Sequence, residues 1–310
     1  MKKVITKYDN NNNENKYYDN HNNSKDNNVY NDDIIIVNPV IFNKKKSNLK
    51  KDGKKFLHVV SDYDNTLTCA CFDGKKIKST FAQLRSGGYL PKEYEEKSWN
   101  MFHHYFPIER SSTISLKEKS KKMTEWWTKH MELLKEYKLN KKTLIEVARN
   151  IETNQRDGTF KFYDLLNKNN IPLLIFSAGQ GDIIEEFLRY SKKLTKNIHI
   201  ISNYYNFDND GFLLGFSGKI IHPFNKNEQS INNTFYSKEI KSRKNVILLG
   251  DSLGDPNMCD GIKHDNIIKI GFLNFEINEK LEEYKKHYDV LILNDGSINY
   301  VIELIQEIIN

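Results

Sequence analysis

A short apolar run that leads into two closely spaced carboxylates, within residues 56–68, constrains this chain more than any other stretch. The apolar segment 57–60 predicts a buried β-strand, and Asn65 predicts the turn that ends it. Asp62 and Asp64 follow that strand, at the position where open parallel sheets bind their ligands. Asp-x-Asp is a common pattern, so a strand followed by a simple turn explains these residues equally well until the rest of the chain is considered.

The composition indicates a globular chain with a proper core. Of its 310 residues, 38% are hydrophobic and 28% are charged, which is ordinary for one large or two modest domains. The net charge of +6 suits an anionic substrate, but the lysines are scattered, which favours a solvated surface over a polymeric nucleic acid partner. The chain has no apolar run of about 18 residues and no signal-peptide pattern, and its three cysteines form no disulfide framework. We therefore expect a cytoplasmic protein with no membrane partner.

The beginning of the chain is unusually polar. Ten of the first thirty residues are asparagine, and such a tract cannot bury enough apolar surface to offset the entropy of ordering it. We interpret residues 1–50 as a disordered tail and linker, with the lysine-rich stretch 44–55 as linker. The apolar residues 34–37 could dock on the main body.

Beyond the opening motif, predicted strands and helices alternate along the chain. This alternation predicts an α/β fold with a doubly wound, mostly parallel sheet and helices on both faces. An Asp-Gly pair within residues 207–212 predicts a tight hairpin. The further predicted strands are residues 171–176, 198–202, 245–249, 267–270 and 290–293.

A largely helical region between residues 80 and 153 interrupts the alternation. Its clearest helix is predicted at 116–137, where apolar residues recur at helical spacing, and another is predicted at 141–150. An insertion of this size behind a strand with carboxylates is typical of a cap that closes over a site and excludes water. We therefore predict a helical cap at 80–153, inserted after the first strand of an α/β core made of residues 51–79 and 154–310.

Three predicted strand ends carry polar loops. The first loop holds Asp62 and Asp64, the second holds Ser177, and the third holds Asp251 and Asp255. Such loops converge in a doubly wound sheet. So many carboxylates within a few ångströms need a cation, and Mg²⁺ prefers carboxylate, water and phosphate oxygens. The electrostatics alone therefore imply a metal ion, and the oxygen donors make Mg²⁺ the expected one.

A phosphate group that entered this acidic cluster would need positive charge and hydrogen-bond donors. Lys226, Ser177 and the backbone around Gly179 are the residues that the sequence offers.

The ordered motifs resemble those of the haloacid dehalogenase superfamily of phosphohydrolases. In chain order they are Asp62-Tyr63-Asp64-Asn65-Thr66, Ser177, Lys226 and 250–255. Longer stretches resemble the cytosolic 5'-nucleotidase type III family, namely residues 175–182, 222–226 and 246–255. The second resemblance covers residues 55–308 and leaves only the beginning of the chain unexplained.

The resemblance implies a nucleoside 5'-monophosphate substrate and a role for each motif residue. Asp62 is the expected nucleophile, which forms an aspartyl-phosphate, and Asp64 is the expected general acid for the leaving 5'-oxygen and the base for water. Because a base is present at Asp64, hydrolysis of the intermediate should follow. The resemblance assigns Mg²⁺ to Asp62, Asp64 and Asp251, the phosphate to Ser177, Ala178 and Lys226, and supporting roles to Thr66 and Asp255.

The resemblance also assigns residues of the predicted cap to the base. Glu109 would bind the edge of the base, while Phe81 and Trp127 would enclose its two faces. Pyrimidine-preferring members carry His and Tyr at the two aromatic positions, whereas the branch that prefers 7-methyl-GMP carries Phe and Trp. A cationic methylated purine gains from aromatic faces and a nearby carboxylate. We therefore expect a preference for 7-methyl-GMP, with CMP and UMP also hydrolysed.

Two features leave the base pocket open to other interpretations. Trp127 lies in an amphipathic helix and could be a core residue. His130 stands where the pyrimidine enzymes have a serine near the substrate, and it would add bulk and a titratable donor there. Alternatives to a monomeric 5'-nucleotidase of this preference are a pyrimidine-specific enzyme with phosphotransferase activity and a catalytically silent nucleotide-binding module.

Overall fold

The computed structural model describes residues 33–151, 155–226 and 235–310. The strands within these ranges are β1 (Ile34–Ile36), β2 (Leu57–Ser61), β3 (Cys71–Phe72), β4 (Lys75–Lys76), β5 (Leu173–Gln180), β6 (Ile198–Phe207), β7 (Leu213–Ser217), β8 (Asn245–Gly250), β9 (Asn266–Leu273) and β10 (Val290–Leu293). The helices are α1 (Pro39–Asp52), α2 (Thr80–Ser86), α3 (Lys92–Arg110), α4 (Leu116–Glu136), α5 (Lys141–Asn150), α6 (Thr159–Lys168), α7 (Gly181–Tyr190), α8 (Phe235–Glu239), α9 (Ile277–Lys285) and α10 (Asn299–Ile309).

Eight of these strands form one twisted sheet in the order β1-β10-β9-β8-β2-β5-β6-β7. The inner neighbours from β10 to β6 pair in parallel, while β1 and β7 pair antiparallel at the two edges. Every residue of β2 and β8 is buried, because helices cover both faces of the sheet, and their sequences, Leu-His-Val-Val-Ser and Asn-Val-Ile-Leu-Leu-Gly, are therefore mostly apolar and do not alternate. The predicted α/β class with a mostly parallel sheet is confirmed.

Apolar layers on the two sides of the sheet fix the positions of the strand ends. One layer packs β2 and β5 against α6 and α7, and it includes Val59, Ile175, Phe162 and Phe187. The other layer includes Val60, Leu174, Leu248, Tyr236 and Met258. Each fully buried aliphatic side chain contributes about 1.5–3 kcal/mol relative to its exposure. The loops that follow the strands therefore project from a rigid base.

Several predicted elements are confirmed at their positions. The strand predicted at 290–293 and the helix predicted at 141–150 have the same bounds in β10 and α5. The hairpin predicted from the Asp-Gly pair joins β6 to β7, and Gly211 in its turn has a φ of 84°, which favours glycine. The strand predicted at 171–176 is longer than expected, since β5 continues to Gln180.

The linker predicted within residues 44–55 is wrong, because this stretch lies in α1 and the short 3-10 turn that follows. Asn38 caps α1 by accepting a hydrogen bond from the Ile41 amide at 3.1 Å, and Phe42 and Leu49 are buried. Two buried side chains on an otherwise lysine-rich helix give too weak a periodic signal to predict it.

The apolar segment before α1 docks on the sheet, as its composition suggested. β1 pairs antiparallel with β10, and the amide of Leu293 donates to the Asp33 carbonyl at 2.8 Å. The disordered tail predicted for the first thirty residues lies outside the described residues.

Helices α2 to α5 follow the small β3–β4 hairpin and precede α6. α3 and α4 pack on each other around an apolar cluster of Phe81, Tyr105, Met123, Trp126 and Trp127. α5 instead packs on α7, and its Leu144, Val147 and Ala148 belong to the main core. Residues 33–310 form one compact unit by their contacts, so the division into a core and a cap at 80–153 stays a prediction.

None of the helices in the described ranges has both the length and the apolar character needed to cross a membrane.

Candidate active site

Polar residues lie at or near the carboxyl ends of three neighbouring parallel strands in the middle of the sheet. Asp62 directly follows β2, Asp251 directly follows β8, and Ser177 lies in the last part of β5. The sheet order explains why they meet, since β2 pairs with β8 on one side and with β5 on the other. Motifs that are far apart in the chain therefore share one cavity of about 320 Å³.

The backbone turns immediately after Asp62, which is what both carboxylates need in order to face the same cavity. Asn65 adopts a left-handed φ of 60°, a conformation that asparagine tolerates, and the amide of Leu67 donates to the Tyr63 carbonyl at 2.9 Å. Asp62 and Asp64 consequently both line the cavity, although their side chains would alternate in an extended strand.

Arg156 holds this turn, and the sequence analysis did not identify it. Its fully buried guanidinium donates to the carbonyls of Asn65 and Thr66 at 2.5 and 2.6 Å and pairs with Asp295 at 3.0 Å. A buried arginine whose donors are satisfied by several acceptors fixes those acceptors in place. Most of its acceptors are backbone oxygens, and Asp295 is far away in the chain, so no residue pattern marks these contacts in the sequence.

Three carboxylates and one ammonium group form the centre of the site. One oxygen each of Asp62, Asp251 and Asp255 lies within 4.8 Å of the others. Lys226 Nζ lies 2.5 Å from Asp62 Oδ1 and 2.9 Å from Asp255 Oδ1. Thr66 Oγ1 donates to Asp251 Oδ1 at a longer distance of 3.4 Å. Asp255, which the sequence analysis placed in a supporting position, thus lies in the carboxylate cluster itself.

Burial and mutual repulsion perturb the charges in this cluster. Burial raises the pKa of Asp62 to about 7, although Lys226 opposes the increase. Burial also raises the pKa of Asp251 well above its ordinary value, and the charges of Asp255 and Asp62 raise it further. For Lys226, burial lowers the pKa, but Asp255 and Asp62 together outweigh this and leave it raised. One ammonium therefore does not balance the carboxylates, so the cluster has the charge and donor atoms that suit a divalent cation.

Asp64 lines the same cavity outside this three-carboxylate group and is bound by the first residue of α2. Thr80 donates to Asp64 Oδ1 through its amide and to Oδ2 through its hydroxyl, each at 2.8 Å. Burial raises the pKa of Asp64 to about 6, and these two hydrogen bonds partly oppose the increase. A carboxyl group with a pKa near neutrality in a cavity suits proton transfer. Thr80 is not predictable from the sequence, because irregular residues and the β3–β4 hairpin separate it from Asp64 in the chain.

The end of β5 provides a wall of small residues. Its pairing with β6 is interrupted between Phe176 and Gln180, which takes Ser177, Ala178 and Gly179 out of the regular ladder. All three line the cavity, and the Gly179 amide donates to Ser177 Oγ at 3.0 Å. Glycine is required here, since a Cβ at Gly179 would lie 2.2 Å from the hydroxyl of the threonine that binds Asp64.

The helices α2, α3 and α4 form an aromatic wall at the other end of the cavity. The lining residues on this side include Phe81, Arg85, Phe102, Phe106, Glu109, Trp126 and Trp127. Burial raises the pKa of Glu109, while Lys119 and Arg110 oppose the increase. An apolar wall with one carboxylate and one guanidinium suits a flat, polar-edged ligand.

Phe81 and Trp127 line the cavity, but the space predicted between them is closed. Their rings stack directly, with centroids 4.7 Å apart and an angle of 4° between the planes. A base enclosed by two rings requires a separation of about 7 Å, twice an ordinary carbon contact. The rings would have to separate to enclose a base, or the base would stack on one outer face.

His130 does not line the cavity, contrary to its predicted contact with the base. Its Nε2 is 2.7 Å from the Tyr94 hydroxyl and 3.2 Å from Ser98 Oγ, and its ring packs against Phe81 at 4.5 Å. Burial lowers the pKa of His130 to about 3, so the ring is neutral. It supports the aromatic wall, and helical spacing along α4 could not distinguish this face from the cavity face.

The fold, with carboxylates at neighbouring strand ends, is shared by solved proteins of low sequence identity. A solved phosphoserine phosphohydrolase-like protein from Francisella tularensis shares the fold, with a TM-score of 0.51 and 15% identity over 80% of this chain and 98% of that chain. At this identity, the likeness concerns the fold alone.

The comparisons with nearer relatives are more specific. The family model described as pyrimidine 5'-nucleotidase (UMPH-1) matches residues 65–309. The human 7-methylguanosine phosphate-specific 5'-nucleotidase is 42% identical over 84% of this chain and 87% of its own length. The Drosophila melanogaster protein of the same name is 33% identical over 80% of this chain and 78% of its own length. A crystal structure of cytosolic 5'-nucleotidase IIIB bound to cytidine has a TM-score of 0.84 and 30% identity, and covers 90% of this chain and 95% of that chain.

This chain therefore belongs to the pyrimidine 5'-nucleotidase (UMPH-1) family. It is a 5'-nucleotidase by reaction class, and the resemblance inferred from its motifs is confirmed.

Proposed function

We propose that this chain hydrolyses nucleoside 5'-monophosphates to nucleoside and phosphate through an aspartyl-phosphate on Asp62, with Mg²⁺ bound beside it. The observation that carries the proposal is the buried cluster in which Lys226 Nζ lies 2.5 Å from Asp62 Oδ1 while two further carboxylates lie close by. Such a centre attracts a phosphate only through cations, and it presents a carboxylate oxygen as nucleophile.

The first step transfers the phosphoryl group to the protein. An oxygen of Asp62 attacks phosphorus, the bond from phosphorus to the 5'-oxygen breaks, and Asp64 gives its proton to the departing 5'-oxygen. The pKa of about 6 supports this role, because a useful fraction of Asp64 carries a proton near neutral pH.

The second step hydrolyses the intermediate. Asp64, now a carboxylate, takes a proton from water, and the water oxygen attacks phosphorus. The bond from phosphorus to the Asp62 oxygen breaks, which releases inorganic phosphate and restores both side chains. Lys226, Ser177 and the backbone at Ala178 orient the phosphoryl oxygens throughout.

The donor set at the cluster fits Mg²⁺. Asp62 and Asp251 would hold the ion together with the Asp64 backbone carbonyl, and Asp255 would hold the loop after β8, since its Oδ2 accepts from the Asp251 amide at 3.1 Å. When bound, the ion neutralises charge that develops on the phosphoryl oxygens. The raised pKa of Asp251 supports this assignment, because a cation would relieve the repulsion among the carboxylates.

For the nucleotide, we propose 7-methyl-GMP, with CMP and UMP as further substrates. The names of the human and Drosophila relatives support the methylated purine, and the cytidine bound to the solved relative supports a pyrimidine. Phe81, Trp127 and Glu109 supply aromatic faces and a carboxylate that favour a cationic base. A pyrimidine-specific enzyme with phosphotransferase activity is the alternative.

Phosphate release from 7-methyl-GMP, CMP and UMP tests the proposal. We expect activity with Mg²⁺, loss of activity in EDTA and recovery when Mg²⁺ is restored in excess. Activity that persists in EDTA would contradict the metal requirement, and tight nucleotide binding without turnover would instead support a silent binding module. Adding a nucleoside acceptor and measuring new nucleotide separates phosphotransfer from hydrolysis.

We further propose that the protein is a cytoplasmic monomer, as the cytosolic name of the solved relative and the sequence suggest. Imaging of the tagged full chain and sedimentation of the purified chain test the two statements.

A further inference from the structure

Arg85 on α2 lines the cavity, yet the proposed chemistry gives it no role. Only 9% of the residue is exposed, and its guanidinium carbon lies 4.6 Å from the Trp99 ring and 4.1 Å from the Phe102 ring. Among the described residues, none forms an ion pair with it, and its Nε has no hydrogen-bond partner. Arg156, the other buried arginine discussed above, meets Asp295 at 3.0 Å.

A buried guanidinium without an acceptor is unusual for energetic reasons. Removing its charge and donors from water costs free energy that two aromatic faces recover only in part. Burial accordingly lowers the pKa of Arg85. The planar guanidinium can donate to an acceptor on a bound ligand. A side chain that only filled space at this position would not need these donors.

The position of Arg85 indicates which part of the ligand it would meet. Arg85 and Phe81 are four residues apart on α2, so they lie on the same face of the helix, and both line the cavity. Their surroundings are the aromatic rings of α3 and α4, whereas the phosphate end already has Lys226. Arg85 therefore belongs to the base end of the cavity.

We propose that Arg85 is a specificity-determining residue that donates hydrogen bonds to a carbonyl oxygen of the base and disfavours a base with a positive charge. The inference rests on the proposed nucleotide substrate. Two opposite preferences then act on the same ligand, because Glu109 and the aromatic rings attract a 7-methylguanine cation while Arg85 repels it. The chain should accept neutral carbonyl-bearing bases more readily than its aromatic wall alone would allow.

GMP and 7-methyl-GMP form the ligand pair for the test, since they differ only in a methyl group and its charge. Dissociation constants are measured by isothermal titration calorimetry in the Asp62→Asn background, so that binding is read without turnover. We expect Arg85→Gln to weaken the binding of GMP about tenfold. The binding of 7-methyl-GMP should weaken clearly less, because the loss of charge repulsion offsets the loss of the hydrogen bond. Arg85→Lys keeps the charge, so the ratio of the dissociation constants of GMP and 7-methyl-GMP should stay near that of the Asp62→Asn protein with Arg85 intact.

Arg149→Gln is the matched control. Arg149 also lies over an aromatic ring, at 6.0 Å from the Tyr190 centroid, but it is exposed on α5. We expect it to leave both dissociation constants unchanged. Equal weakening of both nucleotides by Arg85→Gln, or no change, would overturn the inference.

A ligand-side measurement keeps the test valid if Arg85→Gln does not fold. 2-Aminopurine riboside 5'-monophosphate lacks the carbonyl oxygen of GMP. It should bind the Asp62→Asn protein with Arg85 intact about tenfold more weakly than GMP does. This difference should be smaller in Arg85→Lys, because the lysine ammonium lacks the planar set of donors. An equal difference in both proteins would overturn the proposed hydrogen bond. Absence of nucleotide hydrolysis by the wild-type chain would contradict the proposed function separately from these binding results.

Discussion

The two ends of the cavity are built from different kinds of structure. The phosphate end consists of loops that leave three paired strands, and its charged groups contact one another, as Lys226 does with Asp62 and Asp255. The base end consists of helices that meet through aromatic rings, and it contains buried polar atoms without partners among the described residues, including Arg85 Nε and Trp127 Nε1. We therefore propose that the sheet fixes the chemistry and that the helices select the nucleotide.

The largest expected effect is at the nucleophile. Asp62→Asn should lower kcat by roughly 10³-fold or more on every nucleotide, because the amide cannot form the acyl-phosphate. Phosphate release under single-turnover conditions checks this. Asp73→Asn is the control, since Asp73 is exposed after β3 and its φ of 49° is one that asparagine accepts. Activity of Asp62→Asn close to that of Asp73→Asn would contradict the assignment.

Arg156→Met should lower the free energy of unfolding by about 3–5 kcal/mol, because the carbonyls of the turn after β2 and the Asp295 carboxylate lose a buried partner. Urea denaturation followed by circular dichroism measures the change. The exposed Arg149→Met should change it by less than about 0.5 kcal/mol. Equal stability of the two variants would show that the turn does not depend on Arg156.

Thr80 connects the two ends, since it begins α2 and binds Asp64. Thr80→Val keeps the shape and the amide bond but removes the hydroxyl that donates to Asp64 Oδ2, so kcat should fall about tenfold on 7-methyl-GMP and CMP alike. Thr80→Ser should recover most of the activity. Thr128→Val on α4, which loses only a bond to the Thr124 carbonyl, is the control. A change in KM for one nucleotide alone would assign Thr80 to the base end.

The smallest expected effect is at the aromatic wall. Trp127→Leu should lower the ratio of kcat/KM for 7-methyl-GMP to that for CMP by about 2–30-fold, which corresponds to a cation-π contribution of about 0.5–2 kcal/mol. Hydrolysis of p-nitrophenyl phosphate, which has no base, should change little. An unchanged ratio would indicate that Trp127 only packs against Phe81.

The difference between the two ends also explains how much the sequence could predict. Asp62, Ser177 and Asp251 were predictable because each comes directly after the apolar part of a strand, and the ends of neighbouring parallel strands converge. Thr80 and Arg156 were not, since their partners lie across loops or are backbone atoms. At the base end, the periodicity of α4 placed Trp127 on an apolar face but could not tell whether it reaches the cavity, and His130, which is buried on the same helix, was assigned to the base by the family resemblance alone. The closed stack of Phe81 on Trp127 depends on packing that no local pattern encodes.

Lys226→Met tests the separation of the two ends most directly. The measurement is kcat/KM for 7-methyl-GMP and for CMP, side by side with the wild-type chain. If Lys226 serves only the phosphoryl group, both values should fall by roughly 10²-fold or more and their ratio should stay within about twofold. Retained activity, or a ratio that changes by more than about fivefold, would contradict the account.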